Sequence, residues 1–365
     1  MRTILNIDGG SDAIQCQRSS AIVRAVGATW TQLTANEPYT LTMPPAPMLK
    51  PVIDTEHAYD DVWSYAPLTN AMYCRDNTGG KIYRTTDLVN YEEVCDFLND
   101  PAMVAFRTAV NTNGPSFILE LGDGVLLASM GRAAYDGAGG VTAAIFRSTD
   151  GGATWAKVNE TTKGAFLRLH ALGNHVCACE YANRVGDEGT GSRVHVSDDG
   201  GITWYIAVDP PDISAPPVGN VHCHGAYWLD DTTLYVEWGD GMASAQAVYK
   251  RSNATATDWA MAEDDQGRPL FRQGRIQLSS TCFVSDTLAY GVRETGPAEA
   301  DLIRLNPRTL EMTPLVNLRI STADAVYQPQ VIDGMVLFAV NKMGDDTAAG
   351  GLYLADPSGF NQVTR

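Results

Sequence analysis

Ile145-Phe146-Arg147-Ser148-Thr149-Asp150-Gly151-Gly152-Ala153-Thr154-Trp155 and Val194-His195-Val196-Ser197-Asp198-Asp199-Gly200-Gly201-Ile202-Thr203-Trp204 align without a gap. Each is a short β-run followed by Ser-x-Asp-Gly-Gly-x-Thr-Trp. Asp150 and Asp199 can accept hydrogen bonds from backbone N–H groups of their own turn, and the glycines permit positive φ. Trp155 and Trp204 supply a large apolar body to pack between neighbouring strands. The stretch therefore reads as a hairpin corner, and its residues are assigned no chemistry.

Weaker copies surround these two. Ile82-Tyr83-Arg84-Thr85-Thr86-Asp87 runs on to Tyr91, and Val248-Tyr249-Lys250-Arg251-Ser252-Asn253 runs on to Trp259, with Asn in the Asp position. Fainter ones are Ile22-Val23-Arg24 with Gly27-Ala28-Thr29-Trp30, Leu302-Ile303-Arg304-Leu305-Asn306-Pro307 to Met312, and Leu352-Tyr353-Leu354-Ala355-Asp356-Pro357 to Phe360. The Trp-equivalent positions are 30, 91, 155, 204, 259, 312 and 360, spaced by 48 to 64 residues. A period of roughly 50 residues is what four short strands and their connections require in a propeller blade. Apolar runs between the corners, such as Phe117–Leu121 and Val125–Met130 around Gly122-Asp123-Gly124, read as hairpins.

The prediction is a single all-β domain, a β-propeller of seven four-stranded antiparallel blades, with six plus an N-terminal extension as the alternative. The approximate blades are 1–45, 46–100, 101–160, 161–210, 211–265, 266–318 and 319–365. No helix of convincing periodicity is expected.

Composition bounds the partners. With 43 acidic against 26 basic residues the formal charge is −17, a field that repels phosphate backbones and anionic membrane surfaces, so neither nucleic acid nor membrane is expected. A local arginine cluster can still hold an anionic glycan, because salt screens the distant charges. The N-terminus lacks the apolar run of a secretory signal, so a cytoplasmic or virion-associated location is expected. Seven cysteines without zinc-type pairs suggest reduced thiols acting as small strand hydrophobes.

Candidate chemistry lies outside the corners and concentrates between Arg168 and Asp240, in strand ends that carry polar residues. His222 and His224 are two apart on a strand, which would place both imidazoles on one side for shared proton handling. As a metal site the pair is weak, since a third ligand is missing, and no cofactor is predicted. Glu180 and Tyr181 follow a buried-looking run and are expected to emerge at its end as acid or base. Arg107, Arg132, Arg168 and Arg184 could grip a carboxylate through bidentate forks. Trp238 and Asp240 end the strand after the histidines and complete the predicted substrate contacts.

These motifs make the chain resemble the sialidase or neuraminidase-like superfamily of Asp-box propellers over nearly its whole length. The early Phe/Tyr-Arg-Ile-Pro motif of true sialidases has no counterpart, Phe106-Arg107-Thr108-Ala109 lacking the proline, so sialic acid hydrolysis is not expected. A nearer resemblance is to a bacterial and viral Asp-box group with a Glu-Tyr strand end, an Asp box, a His-x-His-Gly strand and a Gly-Asp strand end. Cys179-Glu180-Tyr181, His222-Cys223-His224-Gly225 and Trp238-Gly239-Asp240 match it in order. That resemblance implies a glycosidase or polysaccharide lyase acting on an acidic polysaccharide, with His222 or His224 as base, Tyr181 as acid, Glu180 beside them and Arg168 as clamp. The alternative is a non-catalytic phage or virion propeller that binds a receptor glycan or other virion proteins.

Overall fold

The computed structural model describes residues 59–66, 71–76, 80–86, 90–97, 99–110, 115–131, 143–161, 165–181, 193–208, 222–239, 245–273, 278–293, 302–316, 324–332, 335–342 and 351–355. The corner at 22–30, and with it the first predicted blade, lies outside them.

Antiparallel sheets make up nearly all of the described structure. The first sheet holds β1 (Tyr59–Ala66), β2 (Ala71–Asp76), β3 (Lys81–Thr85) and β4 (Glu92–Asp96). One helix, α1 (Pro101–Val110), precedes the second sheet of β5 (Pro115–Gly122), β6 (Val125–Gly131), β7 (Ala143–Ser148) and β8 (Ala156–Thr161). The third comprises β9 (Ala165–Leu172), β10 (His175–Tyr181), β11 (Val194–Ser197) and β12 (Tyr205–Val208). The fourth comprises β13 (His222–Asp230), β14 (Thr233–Gly239), β15 (Ala245–Lys250), β16 (Ala260–Met261) and β17 (Phe271–Gln273).

In each of these sheets sequence neighbours pair in order, and β17 adds a third partner for β15. These four sheets and α1 form one compact unit. A second unit holds β18 (Leu278–Ser285), β19 (Leu288–Arg293), β20 (Leu302–Asn306) and β21 (Glu311–Val316) as one meander, and β22 (Asp324–Ile332), β23 (Met335–Lys342) and β24 (Gly351–Ala355) as another. Among the described residues there are thus six sheets.

The central strands of the second and third sheets are apolar on both faces because a neighbouring sheet covers each side. On β6, Leu126, Ala128 and Met130 join a cluster with Tyr73, Ile82 and Phe97 of the preceding sheet region. Leu127, between them, joins Phe166, Leu169, Val176 and Ala178 of the third sheet. On β10 the alternation repeats: Val176 and Ala178 face the second sheet, whereas Cys177 and Cys179 join Cys223, Val236 and Trp238 of the fourth. Period-2 side chains thus become a continuous apolar run whenever both faces are buried.

The two full corners hold themselves together locally. Asp150 Oδ1 accepts from the Thr154 N–H at 2.9 Å and its Oδ2 from the Thr154 hydroxyl at 2.6 Å, and Asp199 does the same with Thr203 at 2.8 and 2.6 Å. Ser148 and Ser197 accept from the N–H of Gly152 and Gly201. The first glycine of each pair ties the corner to the hairpin of its own sheet: Gly151 N–H donates to Gly124 O and Gly200 N–H to Asn174 O, both at 2.9 Å.

The second glycine meets the sheet before. A Cβ on Gly152 would lie 2.4 Å from Val94 Cγ1, and one on Gly201 would lie 2.8 Å from a Leu127 methyl. Trp155 is buried, tilted against Phe97 at 5.7 Å, with its Nε1–H on Gly152 O at 2.8 Å.

α1 departs from the sequence expectation. Asp100 Oδ1 accepts from the N–H groups of Ala102 and Met103, both at 3.0 Å, and Pro101 occupies the first helical position, where no donor is needed. Met103 and Phe106, one turn apart, are buried in the core. Ten residues with two anchors are too short for a 3.6-residue period to stand out.

Candidate functional site

Cross-strand register places the candidate residues at the end of the third and fourth sheets opposite the corners. Tyr181 pairs with Ala165, and His222 with Gly239, whereas the β9–β10 and β13–β14 turns lie at the corner end. Each first strand carries a bulge near this end. Leu167 is the extra residue of β9, between the pairs Cys179–Arg168 and Glu180–Phe166, and His224 is the extra residue of β13, between Cys223–Trp238 and Gly225–Glu237. A bulge re-aims the side chains beyond it. The expectation that His222 and His224 share one face rests on an unbroken pleat, and the bulge at His224 removes that basis.

His224 is buried, 3% exposed. A Cβ on Gly239 would come within 2.1 Å of its Cε1, so the ring lies directly on the Gly239 backbone. The ring also stacks with Tyr181 at a centroid distance of 6.1 Å and 25° between planes. Tyr181 is half-buried and is the more accessible member.

Arg168 donates to the Tyr227 hydroxyl at 3.1 Å. That hydroxyl donates to Glu237 Oε1 at 3.2 Å, and the Tyr235 hydroxyl donates to Glu237 Oε2 at 3.3 Å. Glu237 is fully buried, and Arg168 is the cation of the group. Burial alone would lower the guanidinium's proton affinity, but its interactions with Tyr227 and Glu237 outweigh it and raise it above its ordinary value. Burial, reinforced by the Glu237 charge, raises Tyr227 and keeps the phenol protonated.

His170 stands edge-on to Tyr227 at 5.4 Å and accepts the Trp228 N–H at 3.2 Å. Burial drives its imidazole down to about 4, so it is neutral at physiological pH. Neither Tyr227 nor Glu237 stood out in sequence reasoning. The available signal was a glutamate inside the apolar run Leu234-Tyr235-Val236-Glu237-Trp238, which must find partners when buried.

Glu180 does not emerge at its strand end. It is fully buried on the face of β10 that covers the second sheet, where Oε1 accepts from the Thr161 hydroxyl at 2.5 Å and lies 2.9 Å from His195 Nε2. Burial pushes its carboxyl up, but the hydrogen bonds from His195 and Thr161, with the charge of Arg193, hold it below the usual range.

Trp238, expected to touch substrate, is a core residue: fully buried, edge-on to Tyr249 at 6.3 Å, inside the cluster between the third and fourth sheets. Its position on the face of β14 opposite Glu237 dictates this.

Arg107 lies on α1 and not at a strand end. Arg132, Arg184 and Asp240 lie outside the described residues, as does the His222 side chain. Among the described residues no group of three or more His, Cys, Asp or Glu gathers as a metal site. Cys177 and Cys223 are buried, and desolvation raises both thiols well above their ordinary value, in keeping with a packing role.

No family model and no curated protein matches the chain. Among solved structures, a GH74 enzyme from Niastella koreensis is similar at a TM-score of 0.52 and 15% identity, over 82% of this chain and 43% of its own. An oligogalacturonate lyase in complex with manganese is similar at 0.50 and 14%, over 80% of this chain and 75% of its own. Prolyl oligopeptidase B from Galerina marginata is similar at 0.50 and 11%, over 84% and 43%. Together with the successive antiparallel meanders, these likenesses identify the fold as all-β, of the β-propeller class.

Proposed function

We propose that this chain is a carbohydrate-active propeller, of the sialidase-like Asp-box kind, that takes an acidic polysaccharide at the strand ends opposite its corners. The observation that carries the reading is the Arg168–Tyr227–Glu237 chain: a half-buried guanidinium beside a protonated phenol and a buried carboxylate. A guanidinium in such a setting suits a sugar carboxylate, and its low-dielectric surroundings strengthen the attraction against the overall charge of −17.

Tyr181, stacked on His224, supplies a phenol and an imidazole on the same side of the sheets for proton transfer. His222, Arg107, Arg132 and Asp240 complete the proposed set as further contacts. The Ser-x-Asp-Gly-Gly-x-Thr-Trp corners support the Asp-box assignment. Propeller folds that carry an oligogalacturonate lyase and a GH74 enzyme make the architecture compatible with elimination or hydrolysis.

One observation favours a second reading, a non-catalytic receptor-binding propeller of a virion. Glu180 and His224, two of the proposed acid–base groups, are withdrawn from solvent at 0% and 3% exposure.

The test is calorimetric titration with uronate-containing and neutral oligosaccharides, followed by assays for new reducing ends and for unsaturated uronate absorbance. Binding with turnover that fails in Arg168→Ala supports the enzyme. Binding without turnover supports the second reading, and no binding of any acidic glycan overturns both.

A further inference from the structure

His195 lies on the face of β11 that covers the second sheet and is 5% exposed. Its Nε2 is 2.9 Å from Glu180 Oε1 on β10, and its Nδ1 is 3.0 Å from Asn159 Nδ2 on β8, the outer strand of the second sheet. Phe166 of β9 closes the ring edge-on at 5.1 Å. An amide Nδ2 has hydrogens to give and no lone pair to accept with, so Nδ1 is the acceptor and Nε2 carries the proton that Glu180 receives. His195 is therefore a neutral bridge between two sheets.

A second proton changes the logic of this bridge. Nδ1–H would face the Asn159 amide hydrogens, donor against donor, and only a half-turn of the amide that brings Oδ1 forward restores a hydrogen bond. The same proton converts the Glu180 contact into an ion pair shielded from water. Among the described residues, the groups about the ring are Glu180, ionised and acted on by Arg193 just before β11, and the uncharged Asn159, Thr161 and Phe166. The Glu180 N–H is bonded to Arg193 O at 2.9 Å, and Tyr181 follows directly along β10.

We propose that His195, Asn159 and Glu180 form a proton-operated joint between the second and third sheets, in which one proton on His195 turns the Asn159 amide and resets the strand end at Tyr181. The joint does not depend on any glycan being bound.

Nitrogen-15 spectra of labelled histidine, recorded across about pH 5 to 9, test it on the whole chain. The expected result is an Nε2–H tautomer at high pH, one protonation step at His195, and Tyr181 ring signals that move with the same midpoint. Asn159→Asp presents an acceptor to Nδ1 in either orientation, so it should raise the proton affinity of His195 about tenfold or more. Glu180→Gln should lower it. An Nδ1–H tautomer in the unaltered protein overturns the joint. So does an imidazole that keeps one state throughout, or Tyr181 signals indifferent to the titration. If either variant fails to fold, the unaltered protein's spectra decide alone.

Discussion

Arg168 and Tyr227 are 59 positions apart, yet the Arg168 Nη1 donates to the Tyr227 hydroxyl at 3.1 Å, joining the first strands of two successive sheets. The hydroxyl passes its own hydrogen to Glu237 at 3.2 Å. Arg168→Lys keeps a charge but loses the planar fork, and should weaken an acidic oligosaccharide by about tenfold in a calorimetric titration. Tyr227→Phe leaves a buried carboxylate one donor short. It should lower unfolding stability by about 1 to 3 kcal/mol in urea titrations.

The two glycines of a corner should respond differently to the same substitution. Gly151 has φ +72° and open space around its Cβ direction, so Gly151→Ala meets only backbone strain, about 1 kcal/mol. Gly152, at φ +101°, would drive its new methyl into Val94 Cγ1 and Val94 O at 2.4 and 3.0 Å. Strain and overpacking together should make Gly152→Ala cost about 3 kcal/mol or more in thermal or urea unfolding.

Arg251 stands where the two full corners have Ser148 and Ser197, and its guanidinium lies 5.0 Å from the ring centres of both Trp228 and Trp259. It is 5% exposed, bonded to Asp198 at 2.8 Å, to Tyr205 at 3.0 Å and to Asp231 O at 2.6 Å. Arg251→Met should fill much of the space, yet it strips Asp198 of its main cation and Asp231 O of its donor. A loss of about 3 kcal/mol is expected by urea denaturation.

Acid should destabilise the protein in two stages. His170 binds its proton only near pH 4 when folded but near its ordinary 6.5 when unfolded. The unfolded chain therefore takes up more protons between those values. The His170 contribution is complete above 6.5 and is lost as pH falls through about 4. His170→Asn, which can keep an acceptor for the Trp228 N–H, should flatten that part of the stability profile.

A second stage belongs to Asp230. Burial pushes its carboxyl up, but hydrogen bonds from Arg308 and Thr232 prevail and bring it from 3.8 down to about 2. This stabilisation is present above 3.8 and lost as pH falls through about 2. Arg308→Gln should shift the loss to higher pH in acid titrations followed by circular dichroism.

The corners were legible in the sequence because their bonds are local. Asp150 reaches Thr154, and Ser148 reaches Gly152, each four residues away. Two such stretches at a regular spacing imply repeated β-meanders with no further information, and the all-β propeller class follows. The bulge at His224 was not legible, since register is a relation between two strands. Nor was the burial of Glu180 and Trp238 readable from their place near strand ends. Which face of a strand each occupies is local, but what covers that face is decided by the neighbouring sheet.

Arg168 was singled out from sequence, whereas its partners Tyr227 and Glu237 were not. Only the packing of β9 against β13, and the pairing of β13 with β14, brings those three side chains together. The sequence by itself determined the repeating corner and the strand periodicity, because short-range hydrogen bonds and side-chain alternation suffice for both. The tertiary structure alone decided which polar residues became buried partners, because that depends on contacts between sheets far apart in the chain.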